Sequence, residues 1–173
     1  MNLKHLLLLT AAIGLPALAG TPIICNPLDI GTARSLPWNT AAKGWDGADP
    51  SYKAAANLVT DTLALLTPQT PVKVRMETIR RAAIYAARDA KLAGELSTKL
   101  QARANTAGGA LAWFDAGYWI ESVRQISPMY GAQLLPGQDG YPMVKKAVAL
   151  GGAPGMDDAV ERIEMFRGAE LRK

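Results

Sequence analysis

The densest chemical feature of the chain is Trp113-Phe114-Asp115-Ala116-Gly117-Tyr118-Trp119-Ile120-Glu121, where four aromatic side chains fall close around two carboxylates. Written on a helix, Asp115, Tyr118, Trp119 and Ser122 share one side through spacings of three, four and seven residues. A carboxylate beside a tyrosine and a tryptophan can bind a sugar by stacking and hydrogen bonding, or a cationic or peptide ligand. These four residues are therefore the candidate ligand-binding set. The plainer alternative makes Asp115 a structural hydrogen-bond acceptor and Trp119 a core residue. Trp113, Ala116, Gly117 and Ile120 lie along another side and read as core, with Gly117 letting a second helix approach closely.

Other chemistries are constrained more tightly. Residues 1–19 combine a lysine-containing start, an apolar stretch and the small-residue site Ala17-Leu18-Ala19, the pattern of a secretory signal peptide. Cleavage there would leave 154 of the 173 residues. His5, the only histidine, would leave with it, so nucleophilic triads in their usual forms and histidine-ligated zinc are not expected. Cys25 is the only cysteine, which excludes an intramolecular disulfide. Gly20 to Ile24 separate it from the cleavage site, which argues against lipidation. A buried apolar role, an intermolecular disulfide and a reactive thiol remain open for Cys25. Paired carboxylates for glycoside hydrolysis must face one cleft. Asp115 and Glu121 point to different sides of their helix, so Asp115 would need a partner such as Glu77 or Asp139 from elsewhere in the fold. Asp46 and Asp49 supply too few oxygens for a calcium loop. Gly137-Gln138-Asp139-Gly140 and the glycines from Gly151 to Gly155 match no phosphate-binding loop. No metal and no cofactor are expected.

The elements that must position these residues are helical. Residues 20–49 form an irregular arm with Pro22, Pro27 and Pro37 and no sustained helical period, anchored by Trp38 and Trp45. Asp49-Pro50 and Thr70-Pro71 read as helix starts. Helices are expected over 50–66, 71–86, 90–104, 110–126, 142–150 and 156–172, with breaks at Thr67-Pro68, Asn105 to Gly109 and Ser127-Pro128. Met129 to Gly140 reads as a loop. The expected fold is all-α: about six helices packed as antiparallel hairpins, a helical bundle or short solenoid, over 50–173. No run reaches the roughly 18 apolar residues of a membrane span. Without Lys4 the chain carries about three net positive charges, too few to argue for nucleic acid. Its basic residues alternate with acids, as in Arg75-Met76-Glu77, and Lys73, Glu77, Arg80 and Arg81 lie off the apolar stripe of their helix, which reads as a solvated surface. Glu77 and Arg81 are spaced as an ion pair.

Trp113-x-x-Ala116-Gly117-x-x-Ile120 and Ile79-x-x-Ala82-Ala83-x-x-Ala86, 34 residues earlier, together resemble the first helix of tetratricopeptide-type repeats. The likeness covers residues 70–126. The next copy, at Ala147, ends in glycines. The resemblance implies stacked helical hairpins, a concave peptide-binding face and no catalysis. The expected function is an exported, soluble interaction module, periplasmic or extracellular, that binds a protein or peptide. Two alternatives are a cell-wall glycan binder or hydrolase built on Asp115, and a homo-oligomer assembled through the arm or Cys25.

Overall fold

The structure is a computed structural model, and it describes residues 23–42, 44–131 and 133–170. The expected signal peptide, with His5, lies outside those residues. Among the described residues the elements run from a 3₁₀ turn (Ile23–Cys25) through α1 (Ala54–Leu65), α2 (Val72–Ala86), α3 (Ala90–Ala107) and α4 (Ala110–Ile126). A second 3₁₀ turn (Ser127–Tyr130), α5 (Tyr141–Ala149) and α6 (Met156–Glu170) follow. The only strand-like pairing described is a single bridge between Trp38 and Ala48. The fold is all-α, as the absence of period-two alternation implied.

The helices α2, α3, α5 and α6 surround α4. It packs against α2, α3, α5 and α6 at once. This is a bundle with a central member, whereas in a solenoid each hairpin touches only its neighbours. Gly117 lets α5 come close. A methyl group at Gly117 would stand 2.6 Å from the Gly140 carbonyl oxygen and 2.8 Å from the Val144 amide. Both sides of α4 are consequently interior, from Phe114 through Val123.

Local signals set both ends of α3. Asp89 caps α3 by accepting the Leu92 amide at 2.9 Å, and Gly108 closes it in the left-handed conformation at φ 66°. The expected start at Asp49-Pro50 is corrected: α1 begins at Ala54. Asp49 instead accepts the Ser51 amide and hydroxyl in a tight turn, while its own amide donates to the Tyr85 hydroxyl. Thr70 also departs from its expected role. Its hydroxyl donates to the Leu65 carbonyl at 2.7 Å and so finishes α1 rather than starting α2.

The largest correction concerns α2. Arg75, Glu77, Arg80 and Arg81 are buried, not solvated. The irregular arm lies across Glu77, Arg80 and Arg81 and covers them, whereas Arg75 is enclosed by Thr67, Thr70 and Asp115. Ile24 and Leu36 of the arm are fully buried in the core, and Trp38 and Trp45 pack against it. The Trp38 ring receives the guanidinium groups of Arg80 and Arg81 at 4.9 and 5.5 Å from its centroid.

Candidate functional site

The four residues expected to bind a ligand are all interior. Asp115 is 1% exposed, and Tyr118, Trp119 and Ser122 are fully enclosed. The Ser122 hydroxyl donates to the Tyr118 carbonyl at 2.7 Å, within the helix. The Tyr118 ring stacks on Phe114 with centroids 5.4 Å apart. Asp115 meets Arg75, whose Nη1 donates to its Oδ2 at 2.5 Å. The rest of that guanidinium donates to the carbonyls of Thr70, at 2.9 Å, and Thr67. The second carboxylate oxygen of Asp115 has no partner. Burial pushes its pKa up to about 6, against the pull of Arg75. The set faces the packed interior between α4 and its neighbours, as in the core alternative, and lines no open groove.

The other carboxylates weighed for hydrolysis are each held by arginine. Glu121 is fully buried and accepts the Gly140 amide at 3.1 Å and both Nε and Nη2 of Arg167 at 3.2 and 3.1 Å. Asp139 also accepts from Arg167. Glu77 accepts four hydrogen bonds: the Leu28 amide at 3.0 Å, Arg80 Nε and Nη2 at 2.7 and 2.9 Å, and Arg81 Nε at 2.8 Å. The pair of Glu77 with Arg81 is the one expected from their spacing. Burial acts to raise the Glu77 pKa, but Arg80, the Leu28 amide and Arg81 outweigh it and hold the carboxyl below its ordinary value. The two arginines then reach the arm through its backbone. Arg80 Nη1 donates to the carbonyls of Ile24 at 3.0 Å and Gly44 at 3.4 Å, and Arg81 Nη1 to that of Leu36 at 2.8 Å. Tyr85 adds a bond to the Pro37 carbonyl at 2.6 Å. These charged groups dock the arm, and none is turned toward an opening. Cys25 is half-buried on the arm. Burial holds its thiol above the ordinary value against the pull of Arg80, which opposes a reactive thiolate.

Two cavities lie elsewhere, around the 3₁₀ turn Ser127–Tyr130. A cavity of about 460 Å³ on one side is lined by Ile120, Arg124, Pro128, Leu134, Leu135 and Gln133, among others. A second, of about 510 Å³, is lined by Ala87, Arg88, Ala90, Met129, Tyr130 and Leu134. Leu134 lines both, so the two adjoin across one side chain. Met129 and Tyr130 are each 38% exposed, unusual for large apolar groups that sit next to concavities. The Arg88 guanidinium lies over the Tyr130 ring, 4.9 Å from its centroid. Arg124 stands in the first cavity, 4.0 Å from the buried Glu121.

Sequence reasoning passed over this region as a glycine- and proline-containing loop. The available signal was Pro128-Met129-Tyr130 directly after a helix stop. Large apolar residues on a short turn have little room to bury themselves. Among the described residues no cluster of three or more His, Cys, Asp or Glu is placed to hold a metal ion, and no helix is long and apolar enough to cross a membrane. No protein-family model, curated protein or solved structure matches the chain.

Proposed function

We propose that this protein is an exported helical interaction module that binds an extended segment of a partner protein in the groove flanking Ser127–Tyr130. The carrying observation is the pair of adjoining cavities, with Met129 and Tyr130 exposed beside them. Apolar side chains with interspersed glutamines and backbone turns suit a peptide, whose own polar groups need partners at intervals. Catalysis by carboxylates finds no support, because Asp115 and Glu121 are interior and tied to arginines. The arm is occupied with its own domain, which favours binding over self-assembly through it. Export rests on the signal-like residues 1–19.

Selection of displayed peptides against the full chain and against Met129→Glu tests this reading. Peptides that bind the parent at micromolar levels and lose the variant support it. If no peptide is enriched, or if the variant binds equally, the groove is not a peptide site. Export is checked separately by N-terminal sequencing of the expressed protein, which should begin at Gly20.

A further inference from the structure

We infer that the arm is a strap: residues 23–42 lift from α2 and settle back as a unit while the helices stay folded. The placement of the charges under the arm carries this inference. Glu77, Arg80 and Arg81 are buried together, yet all three belong to one helix, at spacings of three and four residues. Of the four hydrogen bonds that Glu77 accepts, three come from Arg80 and Arg81, and only the Leu28 amide belongs to the arm. When the arm lifts, Glu77 keeps both of its arginines, and water replaces the backbone groups of the arm. No charge is stranded, so the heavy penalty for breaking a buried ion pair does not arise. The pair of Arg75 with Asp115 is built the other way. Its members stand on α2 and α4, and parting those helices leaves each without its countercharge. The charge pattern of α2 that reads in the sequence as a solvated face is the one this face needs when it is uncovered.

The arm's side of the contact is also easily rehydrated. Arg80 meets the Ile24 carbonyl, Arg81 that of Leu36, and Tyr85 that of Pro37. These are backbone groups, which find water readily in an extended chain. The only helical turn within residues 23–42 is the 3₁₀ turn Ile23–Cys25, so lifting sacrifices little secondary structure. The fully buried apolar side chains of the arm are Ile24 and Leu36, whereas the rest of the buried apolar core begins at Leu58. That grip is small beside the apolar contacts that hold the helices to one another. Lifting uncovers Arg80 Nη1 and Arg81 Nη1, donors placed for the main-chain carbonyls of an extended segment.

Native-state hydrogen exchange on the full chain, followed by NMR at rising urea below the unfolding transition, tests the strap. The Leu28 amide donates to Glu77, so its exchange reports the lifting of the arm. The amides of Arg80 in α2 and Ile120 in α4 are interior and report the opening of the helices. After correction for intrinsic rates, Leu28 should exchange on the order of a hundredfold faster than either, with little dependence on urea. Arg80 and Ile120 should share one slower, strongly urea-dependent rate. Val144→Ala, which opens a cavity in α5 against Gly117, should speed Arg80 and Ile120 about tenfold and leave Leu28 unchanged. Leu36→Ala, further along the arm, should speed Leu28 at least about tenfold. If Leu28 shares the rate and urea dependence of Ile120, the arm leaves only when the whole protein unfolds, and the strap is overturned. Exchange of Arg80 in step with Leu28 overturns it as well, because α2 then opens with the arm. If Leu36→Ala leaves Leu28 unchanged, that amide frays locally and no strap lifts. Should Val144→Ala fail to fold, the urea dependence of the parent chain decides by itself.

Discussion

Two acidic side chains of this protein are buried to the same degree and behave oppositely. Glu77, under the arm, accepts four hydrogen bonds from two arginines and a backbone amide, and its carboxyl is held below the ordinary range. Asp115, between α2 and α4, accepts one from Arg75, keeps an unpartnered oxygen, and is pushed up to about 6. Burial is the largest influence on both and acts in the same direction. The difference lies in how many donors converge on the charge. A buried carboxylate surrounded by donors organises a segment of chain, here the arm. One met by a single donor is close to the point at which a proton competes with its arginine.

The widest separation between the two should come from removing the charges. Glu77→Gln strands Arg80 and Arg81 beneath the arm and should cost about 3–5 kcal/mol in denaturant unfolding. A cost under about 1 kcal/mol would mean that the cluster is not what docks the arm. Asp115→Asn should cost less, about 1–2 kcal/mol, because Arg75 keeps the carbonyls of Thr67 and Thr70. If Asp115→Asn proves the more damaging, the contrast between the two sites is wrong.

Acidity sharpens the same contrast. The folded-state pKa of Asp115 is raised, so between its ordinary value and about 6 only the folded chain holds the proton. Its contribution to stability is present at low pH and is lost as pH rises through that window, by about 1.4 kcal/mol per unit. Glu77 has a lowered pKa, so its contribution is present above the ordinary glutamate value and is lost as pH falls below it. Unfolding curves of the parent minus Asp115→Asn should therefore rise toward acid between pH 6 and about 4. The parent minus Glu77→Gln should fall only below about pH 4.5. The smallest effect is expected at the arm's edge. Tyr85→Phe removes the donor to Pro37 and the acceptor of Asp49, and should cost about 1 kcal/mol, read most sensitively as faster amide exchange at Asp49.

Much of the architecture was legible from local patterns. The apolar spacing of Val72, Met76, Ile79, Ala83 and Ala86 marks α2 correctly, whereas α3 runs past its expected end at Ala104 to Ala107, where Gly108 closes it. The expected 110–126 coincides with α4. Gly117 was read as a close-approach position, and it is one. The errors share a cause. Thr70 and Asp49 have cap-forming side chains, but nonlocal or neighbouring acceptors and donors claimed them first. Arg75, Glu77, Arg80 and Arg81 look like a solvated stripe because nothing in a helix's own sequence tells whether another segment will lie over it. The expected site residues lie in the interior for the same reason. Asp115, Tyr118 and Trp119 form a plausible surface on an isolated helix, but α4 is enclosed all round from Phe114 through Val123.

The sequence by itself determined what depends on neighbours within a turn or two: helix content, most helix limits, the irregular arm, and which catalytic residue types are scarce. Tertiary structure alone decided which faces meet water. Covering a polar helix face with an arm, centring the bundle on α4 and opening a groove beside Ser127–Tyr130 all depend on contacts between residues tens of positions apart. The free energy of a buried charge is set by the donors that reach it from those distant positions, as Glu77 and Asp115 show.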